Sequence, residues 1–295
     1  GVGGVMLSGT GQVQAGRNAT LTGSDVAATA GLVDSVNIAA NTLVAGDPQV
    51  IADGVMTIQS GGAAPVNADL IIDGILVGSG AGGINLNAAN VIQLGANVFS
   101  GSGVINFADD VTLTADVIVS SVESGIGAAV NFNGAVDGAF NLQVLGGAGA
   151  VTFADNAGSS IALGSLRVLA GAIDLQDVTT TGMQQYQADT IDLNSTYTSA
   201  GADISFTGFT TLNSNTTVDT TNGGLVAAGA DISFMGALTA DVVGRTLDLR
   251  AGASGDIFFT GPVGATRLGA ITVTSAEDVT AASTVTAASF TQVVG

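Results

Sequence analysis

Carboxylates are the only side chains in this sequence numerous and regular enough to suggest a chemistry. Asp203, Asp231 and Asp256 open three near-copies of one motif, DISFTG, DISFMG and DIFFTG, at spacings of 28 and 25 residues. Aspartates at one register offer the hard oxygen that calcium takes. Stacked at the interstrand distance of about 4.8 Å, they repel one another unless staggered, hydrogen-bonded or bridged by a cation. Calcium on Asp203, Asp231 and Asp256 is one reading, and the plainer one has each carboxylate accepting a hydrogen bond from turn backbone. Neither the nonapeptide of calcium β-rolls nor the EF-hand loop occurs, so the sequence requires no cofactor. Asp109, Asp110 and Asp116 form the one tight acidic cluster. Such a cluster serves acid–base or sugar-cleaving chemistry, and its plainer account is a solvated turn. Tyr186 and Tyr197 are the only candidates for sugar platforms in a chain without Trp. Nothing rises to a catalytic constellation, and the expectation is a protein that is not an enzyme.

The elements that must position these residues are read from the same recurrence. Weaker copies run upstream as VINFAD at Val104, AVNFNG at Ala129 and AVTFAD at Ala150. The phenylalanines Phe107, Phe132, Phe153, Phe206, Phe234 and Phe259 follow at steps of 25, 21, 53, 28 and 25 residues, the long step being close to two units. An aliphatic residue precedes each by two positions, which is a strand with one buried face. Units of 20 to 50 residues are too small to bury a core alone and gain one by stacking. Sequential sandwich domains need about 100 residues each. The prediction is an all-β fold, a right-handed parallel β-helix (β-solenoid) of roughly a dozen coils, as a single continuous domain over residues 1–295. Asn106 and Asn131, at equivalent places in two copies, are expected to stack as an amide ladder.

Composition supports this and excludes several functions. The chain has 24 acidic residues, only two of them Glu, against five Arg, with no Lys, His, Cys or Trp, a net charge of −19, and 44 Gly. That mixture favours strands and tight turns over exposed helix. The charge argues against nucleic acid and anionic membrane surfaces, which need clustered Lys and Arg. No apolar run reaches the 18 residues of a membrane span. An acidic, cysteine-free chain fits export from a prokaryote, secreted or at the cell surface. The chain opens at Gly1 without a charged, apolar leader, as a processed mature protein or an excised segment would. Asn18, Asn194 and Asn215 head glycosylation sequons, which an Asn- and Thr-rich chain produces by chance.

From about Val136 the order of pieces resembles the repeats of giant bacterial surface proteins of the filamentous-haemagglutinin-like, β-strand-repeat adhesin class. In those proteins an LGSLTVT segment and an SVTTTGAQTYN segment follow the GDITFTG one. Here Leu163 to Val168 (LGSLRV) and Leu268 to Val273 (LGAITV) are similar to the first, and Val178 to Tyr186 (VTTTGMQQY) to the second. The resemblance covers about the last 160 residues. It implies a β-helical stalk, secretion to the surface, and a role in adhesion, biofilm or fibre formation.

Both ends read as repeat, so backbone pairing between terminal coils is the expected mode of assembly. The candidates are Val2, Val5 and Leu7 at one end and Phe290, Val293 and Val294 at the other, joining copies end to end into a fibre or matrix. Two alternatives stand beside it: a module that binds a surface glycan, and an S-layer-like, calcium-dependent lattice. The glycan reader would need an exposed aromatic row. An enzyme would need Arg167 or Arg245 beside two carboxylates.

Overall fold

The computed structural model describes residues 69–78, 82–123 and 126–293, together with the backbone of six short strands between Met6 and Gln59. The chain forms two compact units, residues 1–154 and 155–295. Among the described residues there is no α-helix. The strands are short because Gly, Asn and Asp interrupt each apolar alternation after a few residues.

In the first unit each turn carries three strands. The first strands of successive turns build a six-stranded parallel sheet, from Met6–Leu7 through Leu70–Asp73 and Ile92–Leu94 to Val136–Asp137. Its register runs from Leu70 to Ile92 to Val111 to Val136, turns of 22, 19 and 25 residues. The third strands set Ile84, Ile105, Val130 and Val151 in one inward column and Leu86, Phe107, Phe132 and Phe153 in the next. All eight are buried. Because the register shift is zero, rings meet face to face: Phe107 and Phe132 lie 4.6 Å apart, and Phe132 and Phe153 4.7 Å. Offset stacking of this kind adds about 0.5–1.5 kcal/mol per pair to the area buried. Between these columns Asn85, Asn106 and Asn131 face outward in one register row, and Asn106 Oδ1 accepts from Asn133 Nδ2 at 3.0 Å instead of from a neighbour in the row.

The second unit repeats the plan with longer strands. Its aromatic column is Tyr186, Phe206, Phe234 and Phe259, in direct register, with ring separations of 5.3, 5.1 and 5.4 Å. Tyr186 is thus the aromatic rung beneath Phe206. Tyr197 meets Tyr186 and Phe206 edge-on. Both tyrosines are fully buried, which corrects their reading as sugar platforms. Their hydroxyls are satisfied inside, by Gln184 Oε1 at 3.0 Å and by the Leu175 carbonyl at 3.0 Å.

Strands Gln184–Leu193 and Ile204–Leu212 carry the chain round a corner without breaking. The last residue of the DISFTG motif makes that corner. A Cβ on Gly208, which has φ 139°, would run into the carbonyl oxygen of Ala188. One on Gly236 would meet the Gly208 carbonyl, and one on Gly261 the Gly236 carbonyl. The glycines form a stack as strict as the phenylalanines, because backbone occupies the space a side chain would need. Gly236→Ala is therefore expected to destabilise by about 1–3 kcal/mol, and Phe234→Ala by about 3–5 kcal/mol. Thermal unfolding followed by circular dichroism checks both; a Gly236→Ala protein that melts with the wild type would show that the corner has room to spare.

Candidate functional site

The three motif aspartates stand immediately before the inward isoleucines Ile204, Ile232 and Ile257, which pair in register. The Asp231 carbonyl accepts from the Ile204 amide, and the Asp256 carbonyl from the Ile232 amide. The amides of those same aspartates lie at the head of the strand, where the ladder supplies no carbonyl. Backbone N–H groups there need another acceptor, and the carboxylate of the previous turn provides it. Asp203 Oδ1 accepts from Asp231 N–H at 3.1 Å, Asp231 Oδ1 from Asp256 N–H at 2.8 Å, and Asp256 Oδ1 from Asp278 N–H at 3.1 Å. The plainer reading is right in kind, except that each carboxylate serves the following turn instead of its own. Asp278 continues this column outside the repeated motif, since no Phe follows it; its signal in the sequence is an aspartate ahead of the aliphatic Val279. Among the described residues no group of three or more His, Cys, Asp or Glu is gathered to hold a metal.

The acidic cluster of the first unit works similarly and is more than a solvated turn. Asp109 Oδ2 accepts from Ala88 N–H at 2.7 Å in the turn before, and Asp110 Oδ1 from Ala135 N–H at 2.9 Å in the turn after. Two adjacent carboxylates therefore clamp their neighbours on both sides. Asp116 accepts from both the backbone and the side-chain nitrogen of Asn141, at 2.9 Å each, and these bonds hold its carboxyl below the usual range. Two sequon asparagines serve the fold as well: Asn194 donates to Asp174 at 2.6 Å and Asn215 accepts from Thr246 N–H at 3.1 Å. Asn18 lies outside the described residues.

Asp174 and Asp192 are a true like-charge pair, stacked in register on adjacent strands. Burial, and then the charge of Asp174, push the Asp192 carboxyl upward. Among the arginines, Arg245 pairs with Asp241 alone, at 2.7 Å, and Arg167 donates to Gln185 at 2.9 Å. Neither has the two carboxylates a catalytic arrangement needs. Arg250 does reach two, Asp248 at 2.8 Å and Asp219 at 4.0 Å. Asp219 is buried and caps its loop by accepting from Thr221 and Gly223 amides, so this group ties a loop to its neighbouring strand.

A groove of about 570 Å³ lies on the outer face of the second unit. Three outward rows make it. Met183, Asp203 and Asp231 form one side, Gln185, Ser205, Ser233 and Phe258 the floor, and Met235 and Thr260 the other side. The depression exists because two small serines sit between the larger Gln185 and Phe258 in one register row.

Of the expected assembly residues, Phe290 stands in register over Ile271, and Leu247 lies beneath that, making Phe290 a rung of an inward column. It is nevertheless 45% exposed, and Val293 61%. The backbone of Leu7 pairs with Ile38. Val2, Val5 and Val294 lie outside the described residues.

The fold defines the class, a parallel β-solenoid. Comparison with protein-family models, with curated proteins and with solved structures finds no match for this chain. Among the described residues no helix is long and apolar enough to cross a membrane.

Two tests follow from the carboxylates. Asp231→Ala leaves the Asp256 amide without its acceptor and is expected to cost about 1–2 kcal/mol, while Asp231→Asn keeps the oxygen and melts with the wild type; equal losses would refute the acceptor role. Asp192 binds its proton more tightly folded than unfolded, so its ionisation weighs against the fold above the ordinary carboxylate value of 3.8 and protonation relieves it. Asp192→Asn should raise the melting temperature at pH 7 and leave it unchanged near pH 2.5, and a lowered value at pH 7 would contradict the pairing.

Proposed function

We propose that this protein is a structural, non-catalytic β-solenoid exported by a prokaryote, a rod segment of an adhesin stalk, fibre or matrix that extends by stacking turn on turn. The observation that carries the reading is the in-register stacking of turn on turn, as in the columns Ile204, Ile232 and Ile257 and Phe206, Phe234 and Phe259; Phe290 is an inward rung 45% exposed, on a strand paired along one edge. Strand Val285–Gln292 pairs with Val263–Ser275 along that edge. An added turn would hydrogen-bond to the other edge and cover Phe290 and Val293, whether it comes from the same polypeptide or from a second copy. In-register columns of Ile, Val and Phe can continue across such a junction without a change of geometry. An unusually acidic surface favours spacing between neighbouring rods and solubility outside the cell.

The glycan-binding alternative receives less support, since the two tyrosines are buried and Phe258 is the single aromatic lining the groove. Electron microscopy of the purified chain, with and without calcium, tests the assembly. Long fibres that are lost in Phe290→Asp support stacking through this edge. Discrete short rods in every condition would overturn self-assembly. Sheets that form only with calcium would overturn the fibre in favour of a lattice.

A further inference from the structure

The groove over Ser205 and Ser233 has features that a stalk does not need. Ser233 is only 8% exposed, yet its hydroxyl makes no hydrogen bond within the protein among the described residues, and it lines the cavity floor. That hydroxyl opens onto the groove, where water or a ligand atom can complete it; among the described residues the buried side-chain atom without a partner is Thr210 Oγ1, not Ser233 Oγ. The rim has one sign of charge, from Asp203 and Asp231, and no cation lines the groove. Each of those carboxylates spends Oδ1 on the next turn's amide. The remaining lining is mixed, with Gln184, Gln185 and Thr260 polar and Met183, Met235 and Phe258 apolar. Met183 and Met235 are 53% and 49% exposed, unusual for thioethers on an acidic surface, and the ring of Phe258 closes one end.

We propose that this groove binds an extended, arginine-bearing segment of a partner protein. The guanidinium is the group that satisfies all the surfaces at once: it is planar and weakly hydrated, it stacks on an aromatic face, and its N–H groups serve carboxylates and a serine hydroxyl together. Its aliphatic stem lies along the methionines. The register row from Gln185 to Phe258 spans three interstrand steps, about 14 Å, the length of about four extended residues. A neutral glycan would leave both carboxylates without a countercharge and would find a single ring on which to stack. The volume, about 570 Å³, lies within the usual range for ligand sites.

The test must separate this site from the general attraction of a −19 chain for cations. The probe is a fluorescently labelled tetra-arginine peptide, titrated by anisotropy against the full chain. Asp203→Asn/Asp231→Asn keeps the amide acceptors and should weaken binding at least tenfold. Asp109→Asn/Asp110→Asn removes the same charge from the first unit and should change it less than twofold. Ser233→Leu fills the floor and should abolish binding, with circular dichroism confirming the fold; Ser205→Leu gives a second filling variant if Ser233→Leu fails to fold. Equal losses in the two double variants, or binding unchanged in a folded filling variant, would overturn the proposal. Displacement of the peptide by a neutral hexasaccharide at comparable concentration would also overturn it, in favour of a glycan.

Discussion

Zero-shift parallel stacking is the constraint from which the other features descend. One turn of about twenty residues buries no core, and its strand amides and carbonyls point along the axis, where only another turn can meet them. Where turns pair in register, a residue stands over its own equivalent, and shifts after Gln187, Leu249 and Val263 absorb differences in turn length. Residues that suit their own kind then become useful: phenylalanine on phenylalanine in the core, and glycine on glycine where backbone crowds backbone. The DISFTG motif is the complete prescription for one such strand. Its Asp satisfies the next turn's first amide, its Ile and Phe fill two inward columns, and its Gly turns the corner.

Aspartates repeated at one register would ordinarily be a liability, and magnitudes decide why they are tolerated. Two exposed unit charges about 4.8 Å apart in water repel by about 0.9 kcal/mol. A hydrogen bond to a charged acceptor contributes about 1.5–3 kcal/mol. Each of Asp203, Asp231 and Asp256 holds an amide that would otherwise lack a partner, so attraction exceeds repulsion at each step. Asp174 and Asp192 show the contrary case. They stack without a shared amide between them, and there burial and the neighbouring charge oppose ionisation.

The register of the second unit was legible because identical letters recur: aligning DISFTG with DISFMG places Ile204 on Ile232 and Phe206 on Phe234, as they pair. Tyr186 was hidden because its strand reads QQYQ, so the ring that continues the phenylalanine column has the wrong letter and polar neighbours. The two segments that look alike as LGSLRV and LGAITV do not share a column: Val168 pairs with Tyr186, while Val273 pairs with Leu249. A likeness in letters fixes a strand pattern but not which sheet of the coil receives it. The groove was illegible for a related reason. Ser205, Ser233 and Phe258 become neighbours only after the register is known, and nothing in their spacing marks them otherwise.

This contrast between rows also locates function within a repeat protein. Inward positions must fill the core and leave no polar atom unpaired: Ile204, Ile232 and Ile257 repeat, and Gln184 in the same column is buried with its amide bonded to Thr180, the Thr198 carbonyl and the Tyr186 hydroxyl. Outward positions carry no such demand. Where an outward row repeats itself, as in Asn85, Asn106 and Asn131, it tells a partner nothing about position. Where it changes, as from Gln185 through two serines to Phe258, the sheet acquires a local shape at one place. Outward residues can thus change without disturbing the inward columns, since the two sets face opposite sides of the same strands.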